Sequence, residues 1–184
     1  MIIETERLLL REMTEEDFPA LYKVLADSDI MKHYPYVFDE SMVRNWISRN
    51  IERYRVFGFG LWAVCLKSTG EMIGDCGLTM QLIGGEIKPE IGYHIRGDKQ
   101  RKGYAKEAAI AVRDWAFNNT PFNIVYSYMK HTNVPSYKTA ISYGCKQVGE
   151  YKDDVNEITK VLAITREEWI NRQIEIYAYQ KPCK

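Results

Sequence analysis

The spacing of apolar residues predicts a strand followed by two helices in the first part of the chain. Arg7 to Arg11 encloses three consecutive leucines and is typical of a short strand. Thr14 followed by Asp17 resembles a capping box, which predicts a helix over Glu15 to Ala26. Within Asp39 to Tyr54 apolar residues recur every three or four positions, the stripe expected of an amphipathic helix that packs on a core.

The pattern changes near residue 58, where β-favouring runs are separated by short turns that contain glycine. The turns Ser68 to Gly70 and Gly84 to Gly85 are short enough to join neighbouring strands as hairpins. We therefore expect three consecutive antiparallel strands. They span Gly60 to Leu66, Met72 to Leu82 and Glu86 to Ile95.

The remainder of the chain alternates helix-like and strand-like segments. A strand, a helix and a second strand in that order imply a parallel pair within a mixed sheet. We expect an α/β (α+β) fold in which helices pack on this sheet. The predicted elements are a helix over Gly103 to Asn118, a strand over Asn123 to Lys130, a helix over Asn133 to Tyr143, a hairpin of Lys146 to Tyr151 and Glu157 to Thr165, and a helix over Arg166 to Tyr179.

Length and charge restrict the classes of protein that fit this chain. With 184 residues we expect a single domain over 1–184. The 25 Lys and Arg residues equal the 25 Asp and Glu residues, which argues against the broad basic surface of a non-specific nucleic-acid binder. No apolar run approaches the roughly 20 residues of a membrane helix, and charges follow soon after Met1. We therefore expect a cytoplasmic protein with neither a nucleic-acid nor a membrane partner.

The cysteine pattern gives no sign of a disulfide framework or a metal site. No two of the four cysteines form a C-x-x-C pair, and no histidine stands at ligand spacing beside them. We expect reduced and mostly buried thiols and no bound metal. The four cysteines are Cys65, Cys76, Cys145 and Cys183.

A basic turn between a predicted strand and a predicted helix is the segment with the clearest chemical meaning. The first turn of a helix has unpaired N–H groups and a partial positive charge, so a turn just before it suits a pyrophosphate. Gly103 would let a phosphate approach the backbone closely, and Arg101 or Lys102 could bind it by charge-assisted hydrogen bonds. Cations are disfavoured at this end of a helix, which indicates that an anion offsets them. The alternative is a solvated basic loop with a glycine turn.

The same turn resembles the signature Q/R-x-x-G-x-G/A of the GNAT superfamily of N-acetyltransferases. The matching residues are Gln100, Arg101, Gly103 and Ala105. Motifs outside the turn are similar to the Rim-type branch, which includes enzymes that acetylate ribosomal-protein N-termini. These outer motifs are Thr5 to Arg11, Ile91 to Tyr93, Asn133 with Ser136, and Tyr143 to Cys145.

The resemblance implies a sheet of about seven mostly antiparallel strands, with helices on both faces, that splays apart between its fourth and fifth strands. Those strands correspond to Glu86 to Ile95 and Asn123 to Lys130, and the pantetheine arm of acetyl-CoA, the implied co-substrate, would lie between them. The implied cofactor contacts are the backbone of His94, Ile95 and Arg96, the turn with Gln100, Arg101, Lys102, Gly103, Tyr104 and Ala105, and Asn133.

Acetyl transfer to an amine needs a base for the amine, a donor to the carbonyl oxygen and a proton for the departing thiolate. The resemblance places a catalytic glutamate at Glu90, whose alternative role is a structural carboxylate paired with Lys or Arg. A backbone N–H of the same strand would polarise the carbonyl. The tyrosine that often protonates the thiolate, seven residues after Asn133, is replaced by Ala140. Rim-type members have a serine at the position of Ser136, which could orient a proton or water, or simply solvate the first turn of its helix.

The histidines and one aromatic segment give weaker signals. His33, His94 and His131 are isolated in sequence, and none forms a visible catalytic pair with a serine or cysteine. In the GNAT superfamily the region matching His33 to Phe38 lines the acceptor groove, although loop packing is the better explanation for any single aromatic residue there.

The leading functional hypothesis is an amine N-acetyltransferase that acts on a peptide N-terminus or a small amine. The missing tyrosine motivates an alternative, a catalytically silent module that binds acyl-CoA as a sensor. A third hypothesis, an RNA- or ribosome-associated protein, is disfavoured by the balanced charge. The expected partners are acetyl-CoA and an amine acceptor, with the protein a monomer or a homodimer.

Overall fold

A mixed sheet runs through the residues that the computed structural model describes, which are 2–180, with side chains as far as residue 175. Its eight strands within that range are β1 (Ile2–Glu4), β2 (Leu8–Arg11), β3 (Leu61–Leu66), β4 (Met72–Ile83), β5 (Glu86–Ile95), β6 (Ile124–Lys130), β7 (Lys146–Asp153) and β8 (Glu157–Thr165). They lie in the order β1-β2-β3-β4-β5-β6-β8-β7. All neighbouring strands are antiparallel except β5 and β6, which are parallel.

Helices cover both faces of this sheet, as expected from the sequence. They are α1 (Phe18–Leu25), α2 (Ser28–Met31), α3 (Glu40–Phe57), α4 (Tyr104–Asn119), α5 (Val134–Ser142) and α6 (Arg166–Gln180). The mixed, mostly antiparallel sheet is confirmed, with one strand more than the seven or so predicted. The additional strand, β1, pairs with β2 at the sheet edge, and its three residues are too few to display a period.

The predicted helix over Glu15 to Ala26 begins with a 3₁₀ turn at Glu15–Asp17 and becomes α-helical only at Phe18. The Asp17 carboxylate accepts the backbone N–H of Thr14 at 2.8 Å, as the capping box requires, and is also bound by both terminal guanidinium nitrogens of Arg11. This double attachment fixes the start of the helix against the end of β2.

Two cores lie on opposite faces of the sheet, and β3 supplies both. Successive side chains of a strand point to opposite faces, so alternate residues of β3 pack against α1 to α3 and against α4. The residues on the α1–α3 face are Leu61, Ala63 and Cys65, and those on the α4 face are Trp62, Val64 and Leu66. All six side chains are buried, which explains why this strand reads as an uninterrupted apolar run.

The strands β5 and β6 separate after a short contact. They share one register pair, Glu90 opposite Tyr126, and the Ser127 hydroxyl donates a hydrogen bond to the Ile91 carbonyl at 2.8 Å. No further pair joins β5 to β6 between this point and Ile95 in the described residues. The splay predicted between these two strands is therefore confirmed.

The thiols of Cys65, Cys76 and Cys145 are reduced and buried, as predicted, and Cys183 lies outside the described residues. None of the described helices is both long enough and apolar enough to span a membrane.

The close approach of β3 and β4 depends on Gly77. A Cβ atom at this position would lie 2.0 Å from the carbonyl oxygen of Gly60 and 2.6 Å from the Cα of Leu61. Because both contacts are with backbone, we expect Gly77→Ala to lower the free energy of unfolding by about 1–3 kcal/mol and the melting temperature by roughly 3–10 °C. Calorimetry should show this loss, whereas Gly149→Ala in β7, where a Cβ meets nothing within 4 Å, should melt like the unmodified protein. Equal melting temperatures for the two variants would contradict the prediction.

Candidate active site

A cavity of about 620 Å³ opens where β5 and β6 part. Its walls come from the end of β5, the turn before α4, the first turn of α4, the start of α5 and the segment around the end of α2. Most of the residues expected to bind the cofactor line it, together with one of the two expected to be catalytic. These residues are His94, Ile95, Gln100, Arg101, Gly103, Tyr104, Ala105, Asn133 and Ser136.

Three other predicted residues, Glu90, Arg96 and Lys102, are absent from the described lining of this cavity. The Arg96 guanidinium pairs with Glu71 at 2.6 Å, and its backbone N–H donates to the Ile73 carbonyl at 2.8 Å. Its hydrogen-bonding capacity is therefore largely used to join the end of β5 to β4. Lys102 points to solvent, and Glu90 is buried within the sheet region.

The turn before α4 has a backbone suited to an anion. Arg101 and Gly103 both adopt left-handed conformations, with φ of 60° and 84°. Gly103 is the N-cap of α4 and supplies no side-chain acceptor to the first helical N–H groups. These donors, with the partial positive charge of the helix end, face the cavity side of the turn. The Gln100 side-chain amide donates to the Ile95 carbonyl at 2.9 Å and ties the turn to the end of β5.

The positive charges around this turn are of two kinds. Lys99 pairs with Glu71 at 3.0 Å and is neutralised. The side chains of Arg101, Lys102 and Lys106 have no ion-pair partner within the described part of the chain. Three cations thus stand at the end of a helix that disfavours them, which fits an anionic ligand better than a merely solvated loop.

The N-terminal motif holds the first turn of α4 in place. The carboxylate of Glu107 accepts the Thr5 hydroxyl at 2.6 Å, the Arg7 backbone N–H at 2.8 Å and the Arg7 Nε at 2.7 Å. The same guanidinium donates to the Lys102 carbonyl at 3.0 Å and lies over the Tyr104 ring. Burial raises the pKa of Glu107, but these hydrogen bonds outweigh burial and hold the pKa below its usual value. Thr5, Arg7 and Glu107 therefore form a clamp on the turn at 100–103, which we call the anion-binding turn.

At the start of α5, Asn133 and Ser136 have well-defined partners. Asn133 caps the helix, since its Oδ1 accepts the Ser136 N–H at 3.2 Å. The Tyr93 hydroxyl donates to the Ser136 carbonyl at 2.9 Å and lies 3.2 Å from the Ser136 hydroxyl. Ala140, one turn further along, is fully buried in the core and places no polar group in the cavity.

Glu90 is held in a dry environment on the face of β5 that packs toward α1 to α3. It stands opposite Thr79 of β4, whose hydroxyl donates to Glu90 Oε2 at 3.1 Å. Loss of water raises the pKa of Glu90 to about 7, although Thr79 and the nearby His94 partly oppose the rise. No lysine or arginine of the described residues forms an ion pair with it, so the structural pairing considered from sequence is not found.

A hydrogen-bonded chain on the same face was not foreseen from the sequence. The His94 Nδ1 lies 2.7 Å from Asp75 Oδ1, and the Tyr34 hydroxyl lies 2.8 Å from His94 Nε2. The second oxygen of Asp75 accepts the Trp46 indole N–H at 2.9 Å. Burial lowers the pKa of His94, but the charge and hydrogen bond of Asp75, together with Glu90, raise it above its usual value. A charged residue inside the otherwise apolar run of β4 was the available signal.

The family model described as the acetyltransferase (GNAT) domain matches residues 7–146. The chain belongs to the GNAT acetyltransferase family. The matched residues include Arg7 and Glu107 of the clamp, the anion-binding turn and the start of α5.

Relatives and solved structures extend the GNAT assignment over most of the chain. The uncharacterized protein YkkB of Bacillus subtilis (strain 168) is 31% identical over 161 residues, which cover 87% of this chain and 91% of YkkB. The crystal structure of a GNAT-family acetyltransferase from Bacillus anthracis superposes with a TM-score of 0.78 at 28% identity, covering 91% of this chain and 99% of the other. The architecture is thus the GNAT fold.

Rim-type proteins are among the structural neighbours of this GNAT chain. RimL, a ribosomal L7/L12 alpha-N-protein acetyltransferase solved in complex with coenzyme A, superposes with a TM-score of 0.74. Its identity is 19%, and the match covers 90% of this chain and 98% of RimL. At this identity the likeness shows the fold alone.

The raised pKa of Glu90 makes the stability of this GNAT domain depend on pH. The protonated carboxyl contributes stability that is complete below about 4.5, the ordinary value, and is lost as the pH rises through about 7. Glu90→Gln cannot ionise, so we expect it to be more stable than the parent protein by about 1–3 kcal/mol at pH 8 and nearly equal to it at pH 4.5. Urea denaturation at the two pH values measures both differences.

The matched control is Glu6→Gln, which removes the same charge from an exposed position. It should change the free energy of unfolding little at either pH. A Glu90→Gln variant that is less stable than the parent protein at pH 8 would contradict the prediction. It would show that interactions in the fold stabilise the buried carboxylate by more than its burial costs.

Proposed function

We propose that this protein transfers an acetyl group from acetyl-CoA to a primary amine, either a peptide N-terminus or a small amine. The observation that carries the proposal is the continuous cavity from the anion-binding turn to Ser136 and His94. A cleft with a pyrophosphate cradle at one end and titratable groups at the other suits a long anionic cofactor that delivers a reactive group.

The cofactor would lie along the gap between β5 and β6. The pyrophosphate would bind the first N–H groups of α4, with Arg101 and Lys102 contributing positive charge. The pantetheine arm would follow His94 and Ile95, where β6 no longer supplies a sheet partner, and would pass Asn133. Arg96, whose backbone N–H is already bonded within the protein, would act mainly by holding the turn.

A base behind the cavity wall and a hydroxyl on that wall would act at the acyl end of the cofactor. Glu90, with a pKa of about 7, can remove a proton from an ammonium group directly or through water near neutral pH. A backbone N–H at the end of β5 would polarise the thioester carbonyl as charge develops on its oxygen. Ser136, beside the Tyr93 hydroxyl, would orient a proton or a water near the sulfur.

The catalytically silent alternative is favoured by one observation, the buried Ala140 in place of a phenol on α5. A sensor of this kind would bind acetyl-CoA with full affinity and release no coenzyme A in the presence of amines. Binding and turnover therefore have to be measured separately.

Binding of acetyl-CoA tests the turn. We expect saturating acetyl-CoA to raise the melting temperature, and Gly103→Ala to weaken binding by roughly tenfold or more. The substituted residue would have a strained positive φ, and its Cβ would lie 3.3 Å from the Arg7 guanidinium. Gly85→Ala is the matched control, because Gly85 has nearly the same φ of 83° but lies in the β4–β5 turn. Isothermal titration calorimetry on both variants distinguishes general backbone strain from damage to the cradle, and equal affinities would contradict the assignment.

Turnover tests the catalytic residues. In an assay of free coenzyme A release against peptides, polyamines and aminoglycosides, we expect Glu90→Gln to lower kcat by roughly 100-fold or more. The same variant should keep the acetyl-CoA affinity, because Glu90 does not line the cofactor cavity. Because the base must be ionised, the activity of the parent protein should rise as the pH increases through about 7. Ser136→Ala should reduce kcat by a smaller factor.

Two outcomes of the turnover assay would count against this assignment. If acetyl-CoA binds but no amine causes release of free coenzyme A, the result would support the catalytically silent module. If Glu90→Gln turns amines over at the parent rate, the acetyltransferase activity stands but Glu90 has no part in its mechanism.

A further inference from the structure

One requirement of acetyl transfer has no group assigned to it so far, since the Tyr93 phenol donates its hydrogen to the Ser136 carbonyl. The thiolate that leaves the thioester needs a proton, and the α5 position that could hold a phenol is the buried Ala140. A serine hydroxyl is a poor acid, so Ser136 orients a proton more readily than it supplies one. A phenol from another part of the fold would meet the requirement.

Tyr34 places such a phenol on the wall of the same cavity. It lies between α2 and α3, and it lines the same cavity as Ser136 at the start of α5. The Tyr34 residue as a whole is 44% exposed, whereas His94, whose Nε2 lies 2.8 Å from the Tyr34 hydroxyl, is 8% exposed. The hydroxyl itself is buried against His94, and burial raises the pKa of Tyr34, so its acidity depends on the positive charge of a protonated His94.

From this arrangement the geometry points to Tyr34 as the catalytic acid that protonates the coenzyme A thiolate. His94 and Asp75 are positioning residues that orient the phenol and return a proton to it. The inference rests on the proposed function, since it concerns the acyl end of the same cleft. It assigns a catalytic group on the α2–α3 side of the cavity, far along the chain from α5.

The hydrogen bonds determine which way each proton points. The Asp75 carboxylate accepts the Trp46 N–H with one oxygen, and its other oxygen accepts from His94 Nδ1, which must therefore carry a hydrogen. The ring also packs against Tyr34 and Trp46, with centroids 5.4 Å and 5.8 Å away. Only Nε2 is left to change its protonation, and it faces the Tyr34 oxygen.

Protonation of Nε2 would release the phenol hydrogen to the cleft. When His94 is neutral, Nε2 accepts the Tyr34 O–H. When His94 is an imidazolium, Nε2–H donates to the Tyr34 oxygen, and the phenol hydrogen is free to point toward a bound sulfur. The titratable groups that act on this ring are Asp75 on β4, Glu90 on β5 and Tyr34 itself. The two carboxylates favour the imidazolium and so favour the state in which the acid is available.

The step balances without any further reactant. The amine, after losing a proton to Glu90, forms a bond to the acetyl carbon, and the carbon–sulfur bond breaks with its electron pair going to sulfur. The Tyr34 hydrogen moves to sulfur, and the Tyr34 oxygen takes the hydrogen of His94 Nε2. The second proton lost by the nitrogen reprotonates His94 through water. The products are the amide, the coenzyme A thiol and one proton, which Glu90 returns to solvent.

Tyr34→Phe removes the acid and retains the ring. We expect kcat to fall roughly 100-fold while the acetyl-CoA affinity stays within about twofold of the parent value. Tyr22→Phe, which removes a phenol from α1 outside the cavity, is the matched control and should retain full activity. A Tyr34→Phe variant with unchanged kcat would overturn the proposal.

A second measurement needs no amine acceptor. Bound coenzyme A is titrated by the ultraviolet absorbance of its thiolate, and loss of a hydrogen bond to that thiolate should raise the thiol pKa in Tyr34→Phe by roughly one pH unit. If the parent protein turns no amine over but Tyr34→Phe raises this pKa, the proposed function fails while the contact between Tyr34 and sulfur stands. An unchanged pKa overturns the contact, and a failure of coenzyme A to bind overturns both proposals.

Asp75→Asn tests the positioning role. An amide can still accept the Trp46 hydrogen bond, but it no longer stabilises the imidazolium. The alkaline limb of the activity profile, where His94 loses its proton, should therefore move to lower pH, a change that a purely structural defect would not produce. An unchanged limb in a folded Asp75→Asn protein would exclude His94 from the relay.

Discussion

The parting of β5 and β6 is the constraint on which the site depends. The two parallel strands keep a single register pair at Glu90 and Tyr126, after which the edge of β5 has no strand beside it. Backbone groups in such a place need a partner from water or from a ligand, and an extended amide-bearing molecule can supply one. The same gap creates the volume of the cavity and brings the starts of α4 and α5 to its two sides.

The anion-binding turn is stable because it is held from outside. Unpaired helix donors and neighbouring cations repel each other when nothing is bound, so the turn depends on contacts elsewhere in the fold. Glu107 supplies them by accepting three hydrogen bonds from Thr5 and Arg7, and Gln100 adds a bond to the end of β5. The N-terminal segment therefore belongs to the site although it does not line the cavity.

The two faces of β5 have different tasks because alternate side chains point in opposite directions. Glu90 and His94 point toward α1 to α3, into a polar layer with Asp75, while Tyr93 points the other way and meets Ser136. Burying these polar groups opposes folding unless every one is hydrogen-bonded. The cost falls on the charged form of Glu90, and burial accordingly raises the pKa of this carboxyl to about 7.

The sequence by itself determined the order and type of nearly every element and the place of the anion-binding turn, because apolar periodicity, glycine turns and helix starts are local properties of the chain. Tertiary structure decided which side chains meet. Tyr34 and His94 are 60 residues apart, and Asp75 and His94 are 19 apart on neighbouring strands. Their hydrogen bonds depend on the register of β4 with β5 and on how the loop after α2 packs. Neither leaves a periodic trace, so His94 looked isolated in the sequence although it lies at the centre of a hydrogen-bonded chain in the fold.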